Sequence, residues 1–385
     1  MGLVAGLALL MAVAGCSAGT PVSSPTAGSG GTGRDGASAT LLADGRVLFA
    51  GGTDGSASEQ VVASAEVYNP ASGKFGPTGS LTQARTGQTA TRLADGRVLI
   101  AGGYGVSSSL ATAELFDPKA DTFTAAGSMT TGRNGHTATL LSDGRVLIVG
   151  GLGASDFLSS AEEFDPATGT FTAMSSMAVA RSSHTATLMA SGKVLIVGGH
   201  AGDMNPLDSA ELFDPATSTF SDAGRIREGD RHTASALPDG RILVTGGRRC
   251  DKGWIPCTDF TLKDTELFDP ASGKFAASGP MTASRVDHTA TTLRDGRVLI
   301  AGGYSEADDT TQVRHILATA ELFDPKTGTF AATGDMTGSR SGHSATLLSD
   351  GRVLIVGGLL IGGGSTQPGT AEIYDPATGK FNTTG

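Results

Sequence analysis

The stretch RNGHTATLLSDGRVLIVGG, residues 133–151, decides the fold. His136 to Leu141 is a short β-prone run and Val146 to Val149 is another. Ser142-Asp143-Gly144 between them makes a tight hairpin turn, with glycine supplying a positive φ. Gly150-Gly151 ends the second run and lets the chain leave it close against a neighbour. Downstream, Ala161 to Phe164 reads as a third strand. Asp165-Pro166 to Gly169 reads as a turn preset by proline, and Thr170-Phe171-Thr172 as a fourth strand. Four antiparallel strands in chain order make one blade of a propeller.

The unit recurs. Gly51-Gly52, Gly102-Gly103, Gly150-Gly151, Gly198-Gly199, Gly246-Gly247, Gly302-Gly303 and Gly357-Gly358 each follow a β-branched run, at spacings of 48 to 56. A period near 50 residues marks propellers rather than solenoids, and seven such units account for residues 34–385. The expectation is an all-β, seven-bladed β-propeller of four-stranded antiparallel blades with no helical domain. Composition agrees: 57 of 385 residues are glycine, which is costly inside helices and useful in turns. Twelve of the fifteen phenylalanines fall in two columns. Phe75, Phe123, Phe171, Phe220, Phe275, Phe330 and Phe381 sit in strand four, and Tyr68, Phe116, Phe164, Phe213, Phe268, Phe323 and Tyr374 in strand three. Each buried ring contributes on the order of 2–3 kcal/mol of transfer free energy. Every unit holds its own four strands, so the ring closes by packing blade seven on blade one, without an exchanged strand.

The Gly-Gly pair, the two aromatic columns and the arginine before strand one, as at Arg133 and Arg181, resemble the kelch repeat family. The family usually carries tryptophan in strand four, where this chain has phenylalanine throughout. The resemblance implies a propeller, and kelch propellers serve both as binding platforms and as enzymes. The propeller also resembles that of copper-radical galactose oxidase, whose type uses two tyrosines, two histidines and a cysteine cross-linked to one tyrosine. Of the four tyrosines here, Tyr68, Tyr104, Tyr304 and Tyr374, two belong to the strand-three column, and no cysteine lies beside any of them. No copper site, other metal or cofactor is therefore expected.

Leu3 to Ala14 is an apolar run too short to span a bilayer and suited to a signal peptide. Val13-Ala14-Gly15-Cys16 resembles the bacterial lipobox, with Cys16 as the lipidated residue. Residues 1–16 thus read as a lipoprotein signal and 17–33, rich in Ser, Thr, Gly and Pro, as a flexible tether reaching about 20–25 Å. The body, residues 34–385, is expected to be exported and lipid-anchored in the cell envelope, or else secreted. A net charge of −10 argues against nucleic acid.

Residues repeated in every blade point to the scaffold, since an active site is needed only once. Glu66, Glu114, Glu162, Glu211, Glu266, Glu321 and Glu372 recur in strand three, and Arg46, Arg97, Arg145, Lys193, Arg241, Arg297 and Arg352 follow the hairpin glycine. Ion pairs or hydrogen bonds within the blades are expected of them. His136, His184, His232, His288 and His343 open strand one around the axis, a ring that could in principle bind metal. Ser38 and Gln88 read as the corresponding residues of blades one and two, which suits hydrogen bonding instead.

What is not repeated guides the search for function. The loops after Gly-Gly are longest in blades five and six. The first holds Arg248, Arg249, Trp254 and the pair Cys250 and Cys257, which in an exported protein reads as a disulfide; the second holds Tyr304, Asp308, Asp309 and His315. Long loops on a rigid scaffold are where binding sites lie. These loops share a face with the connections between blades, opposite the Asp-Gly hairpins. The expected function is a monomeric, non-enzymatic binding module for a protein or glycan ligand. The alternative is an extracytoplasmic carbohydrate-active enzyme with its site over the axis.

Overall fold

The computed structural model describes residues 34, 36–54, 58–202, 205–227, 229–251, 258–306, 314–358 and 371–384. The proposed signal and tether, and with them Cys16, lie outside these residues, as do Trp254, Cys257, Asp308 and Asp309. Seven sheets of four strands follow one another along the chain, each in sequential order, and no α-helix occurs among the described residues. In blade three the strands are Thr137–Leu140, Val146–Val149, Ala161–Asp165 and Thr170–Ala173. Val146 pairs with Leu140 on one side and Phe164 on the other, and Phe164 pairs with Phe171.

Strand two explains why an alternating pattern is absent from its sequence. A strand exposed on one face alternates apolar and polar residues, whereas one buried on both faces reads as continuously apolar. Val146 and Ile148 pack with Leu93, Leu99 and Leu115 of blade two. Leu147 and Val149 point the other way, to Val194, Ile196 and Phe213 of blade four. The same side-chain period of two therefore feeds two inter-blade cores. Phe164 belongs to the first, buried against blade two, with the ring of Phe171 at 4.9 Å and tilted 46°.

Gly150 and Gly151 have φ of 64° and 99°. A Cβ on Gly150 would stand 2.6 Å from the Arg181 carbonyl and 2.8 Å from the His184 ring, so glycine is required by close approach as well as by φ. At the outer turn the Asp165 side chain accepts from Ala167 N at 2.8 Å, and its carbonyl accepts from Gly169 N at 2.8 Å.

Closure follows the expected plan. Blades one and seven each keep four strands of their own. Val47, Phe49 and Tyr68 pack against Leu348, Leu354, Val356 and Ile373 across the seam. The Tyr68 hydroxyl lies 2.9 Å from Thr384 Oγ1, tying blade one to the last strand.

Candidate binding face

Two repeated polar devices build the face on which the inter-blade connections run. The first is a buried ion pair. Arg133, just before strand one, donates from Nη1 to the carbonyls of Gly150 and Ser160, both at 3.0 Å, and from Nη2 to Glu162 Oε1 at 2.9 Å. The other carboxylate oxygen of Glu162 accepts from Thr130 N at 2.8 Å. Burial lowers the Arg133 pKa, and the charge and hydrogen bond of Glu162 oppose that shift. Arg85–Glu114, Arg181–Glu211, Arg285–Glu321 and Arg340–Glu372 repeat the pair at 2.9 Å, and Arg34–Glu66 is longer at 3.4 Å. Six of the seven strand-three glutamates thus find their partners in the arginine ahead of strand one; Glu266 does not. The arginines and lysine after the hairpin glycine, such as Arg352 with Asp350 at 2.7 Å, pair at the exposed opposite face.

The second device is the histidine ring. His136 Nε2 lies 3.0 Å from Thr89 Oγ1 of the preceding blade, and His184, His232, His288 and His343 meet Thr137, Thr185, Thr233 and Thr289 at 2.9–3.0 Å. Each histidine therefore links two blades by a hydrogen bond. Gln88 serves the same link, donating to the Ala50 carbonyl at 2.7 Å. Ser38 does not hold this position. It pairs with Ala50 as Thr137 pairs with Val149, so Ser38 takes the threonine's place and Ala37 the histidine's. The signal was Arg34, three residues before Ala37 as Arg133 is before His136.

Above these layers the blades differ. Short ribbons rise after the Gly-Gly pairs of blades four, five and six: His200–Ala201 with Asn205–Pro206, Arg248–Asp251 with Thr258–Thr261, and Tyr304–Glu306 with Arg314–Ile316. Neighbouring ribbons touch, so they form one crest. At its foot Asp230, with 0% of its surface exposed, receives Arg248 Nη2 at 2.7 Å and Arg248 Nε at 3.1 Å, with His200 Nδ1 3.3 Å away at ion-pair distance. Burial alone would raise the Asp230 pKa, but the contacts of His200 and Arg248 outweigh it and hold the carboxyl below its usual range. The Phe157 ring packs edge-on against His200 at 5.3 Å.

The residues expected to bind are distributed unevenly. Arg248 is turned into Asp230, and Arg249 lies over the Phe260 ring at 5.8 Å. Tyr304 is 3% exposed, bridged to Val286, while His315 is exposed on the blade-six ribbon. Cys250 stands on the blade-five ribbon, and its proposed partner Cys257 lies outside the described residues. His200, Asp230, Tyr104 and Val106 also stand on this face, outside the binding candidates expected from the sequence. Tyr104 is 42% exposed and Val106 86%, the exposed large hydrophobic residues among those described, and both follow the Gly-Gly pair of blade two. His200, Tyr104, Arg248 and Tyr304 all occupy the first place after Gly-Gly, a column whose variety contrasts with the uniform columns around it. Among the described residues, no three His, Cys, Asp or Glu side chains come together as a metal site would need.

The Kelch motif model matches residues 86–130, 133–178 and 181–225. No curated protein matches the chain. Among solved structures, a fungal alcohol oxidase described as catalytically diverse within the AA5 family, in complex with copper, superposes with a TM-score of 0.68 at 20% identity, over 88% of this chain and 73% of that one. The structure of YjhT superposes with a TM-score of 0.60 at 13% identity, over 78% of this chain and 97% of that one. At such identities these likenesses speak to the fold alone.

Proposed function

We propose that this seven-bladed β-propeller, which carries Kelch motifs over residues 86–225, is a surface-anchored extracytoplasmic interaction module, a monomer without catalytic activity, whose protein or glycan ligand docks on the loop face. Kelch propellers commonly mediate protein interactions. The observation that carries the choice of face is the exposure of Tyr104 and Val106 there, on the same face as the crest that the described residues form on blades four, five and six. Exposed aromatic residues on rigid loops are the common anchors of interfaces, because they bury large area at small entropy cost.

Protein and glycan arrays probed with the purified protein test this reading, scored for product as well as retention so that a carbohydrate-active enzyme would show itself. With a ligand in hand, Tyr104→Ala should weaken binding by at least about 1–2 kcal/mol while leaving the melting temperature nearly unchanged. Trp254→Ala tests the blade-five loop in the same way. Unaltered affinity in both variants would move the site off this face. For the anchor, Cys16→Ala should shift the protein from membranes to the soluble fraction; unchanged membrane fractionation would place anchoring elsewhere.

A further inference from the structure

Blade five departs from the other six at one buried position. The arginine ahead of strand one stands 17 residues before the first glycine of the Gly-Gly pair in every other blade, as Arg181 does before Gly198, and donates to that glycine's carbonyl. At the same spacing before Gly246 stands Gly229. The acceptors a guanidinium would take are nevertheless in place. Gly246 N bonds the Asp264 carbonyl at 3.1 Å, as Gly198 N bonds Ser209 at 3.1 Å in blade four. Arg181 Nη1 reaches both of the latter carbonyls, Gly198 at 2.8 Å and Ser209 at 2.9 Å. Glu266 pairs with Val244 in the register in which Glu211 pairs with Ile196. Asp264 replaces Ser209, whose hydroxyl accepts from Arg181 Nη2 at 3.0 Å, so blade five has added a carboxylate where it lost a cation.

Nothing in the backbone asks for glycine at 229. Its φ is not left-handed, and a Cβ there would meet no atom nearer than 3.8 Å. An open recess lies among Gly229, His232, Gly246, Leu262, Asp264 and Glu266. Arg227 sits at its rim: its backbone N–H donates to Glu266 Oε2 at 3.0 Å, and its exposed guanidinium bonds Asp264 at 2.8 Å. Among the described residues no side-chain donor reaches the Gly246 or Asp264 carbonyl or Glu266 Oε1. Among the described residues, the acceptor set that fixes a guanidinium in the other blades is thus kept in blade five without a side-chain donor.

We propose that blade five keeps a preformed guanidinium slot, filled in the other blades by the chain's own arginine and here by an arginine side chain of a partner. The planar guanidinium fork matches two fixed carbonyls and a carboxylate at once, which the point charge of a lysine does not. The slot goes beyond the interaction reading and stands or falls separately from it, because its test uses small probes. Calorimetric titration of the whole protein with N-acetyl-arginine methylamide should show saturable binding, and N-acetyl-lysine methylamide should bind at least about tenfold more weakly. Glu266→Gln should weaken the arginine probe by about tenfold or more. Gly229→Arg, which supplies the missing side chain, should abolish binding and melt higher than the parent. Free L-arginine binding more weakly than the capped form supports a side chain within a partner chain; equal binding overturns that source. Absent saturation, equal binding of the lysine probe, or undiminished binding in the variants overturns the slot. If Gly229→Arg does not fold, Glu266→Gln decides alone.

Discussion

Lowering the pH from about 7.5 to about 5.5 should cost this protein on the order of 7 kcal/mol of stability through five histidines. His136, His288 and His343 are held to about 3, His232 to about 4, and His184 well below its ordinary value. Burial is the main cause in all five, and in four the charge of a nearby arginine on the same buried layer is the next. In the unfolded chain these residues take up protons near pH 6.5, while in the folded ring they stay neutral. The stabilisation is therefore complete above about pH 6.5 and is lost as the pH falls toward the folded values, at up to about 1.4 kcal/mol per pH unit for each histidine. Melting temperature followed against pH checks this. Replacing His184 by Gln, the residue blade two already uses, should flatten the slope by about a fifth of the histidine contribution. A melting temperature that stays level between pH 7.5 and 5.5, taken as about the titration range of free imidazole, would contradict the buried neutral ring.

Arg133→Ala should destabilise the protein by about 3–5 kcal/mol, because it leaves the Glu162 carboxylate and two carbonyls buried without their donor. Removing both charges, as in Arg133→Met with Glu162→Leu, should cost less than the single change, since no uncompensated charge remains. Arg352→Ala is the control. Its partner Asp350 is 44% exposed and Arg352 itself 40%, so water replaces the lost contact and the cost should stay below about 1 kcal/mol. Chemical denaturation of the three variants beside the parent measures all of this. A single change at Arg133 no worse than that at Arg352 would show that the inner pairs do not hold the blades.

The two kinds of arginine also show how far the sequence could be read. Arg133 and Arg352 recur with equal regularity, and both columns were recognisable as scaffold. Which carboxylate Arg133 would meet was not, because Glu162 lies 29 residues away and the contact depends on how the strand-one connection folds back under Gly-Gly. The histidines were legible as hydrogen-bonding residues, but their partners lie 47 to 55 residues away on the preceding blade. No local spacing reports an inter-blade distance. Tyr104 and Tyr304 make the point most sharply. Both directly follow a Gly-Gly pair, yet one is exposed and the other buried, since Tyr304 opens a ribbon of the crest and Tyr104 does not.

The chain by itself determined the number of blades, the order of strands within each and the two aromatic columns. These depend on turns and on side-chain alternation, which act over a few residues and repeat seven times. Only the tertiary structure decided which polar groups meet across blades, that Asp230 gathers His200 and Arg248, and that blade five keeps the guanidinium acceptors in place where its sequence has Gly229. Those outcomes depend on distances between units that the ring brings together, and such distances are set by the closed packing of seven blades rather than by any one of them.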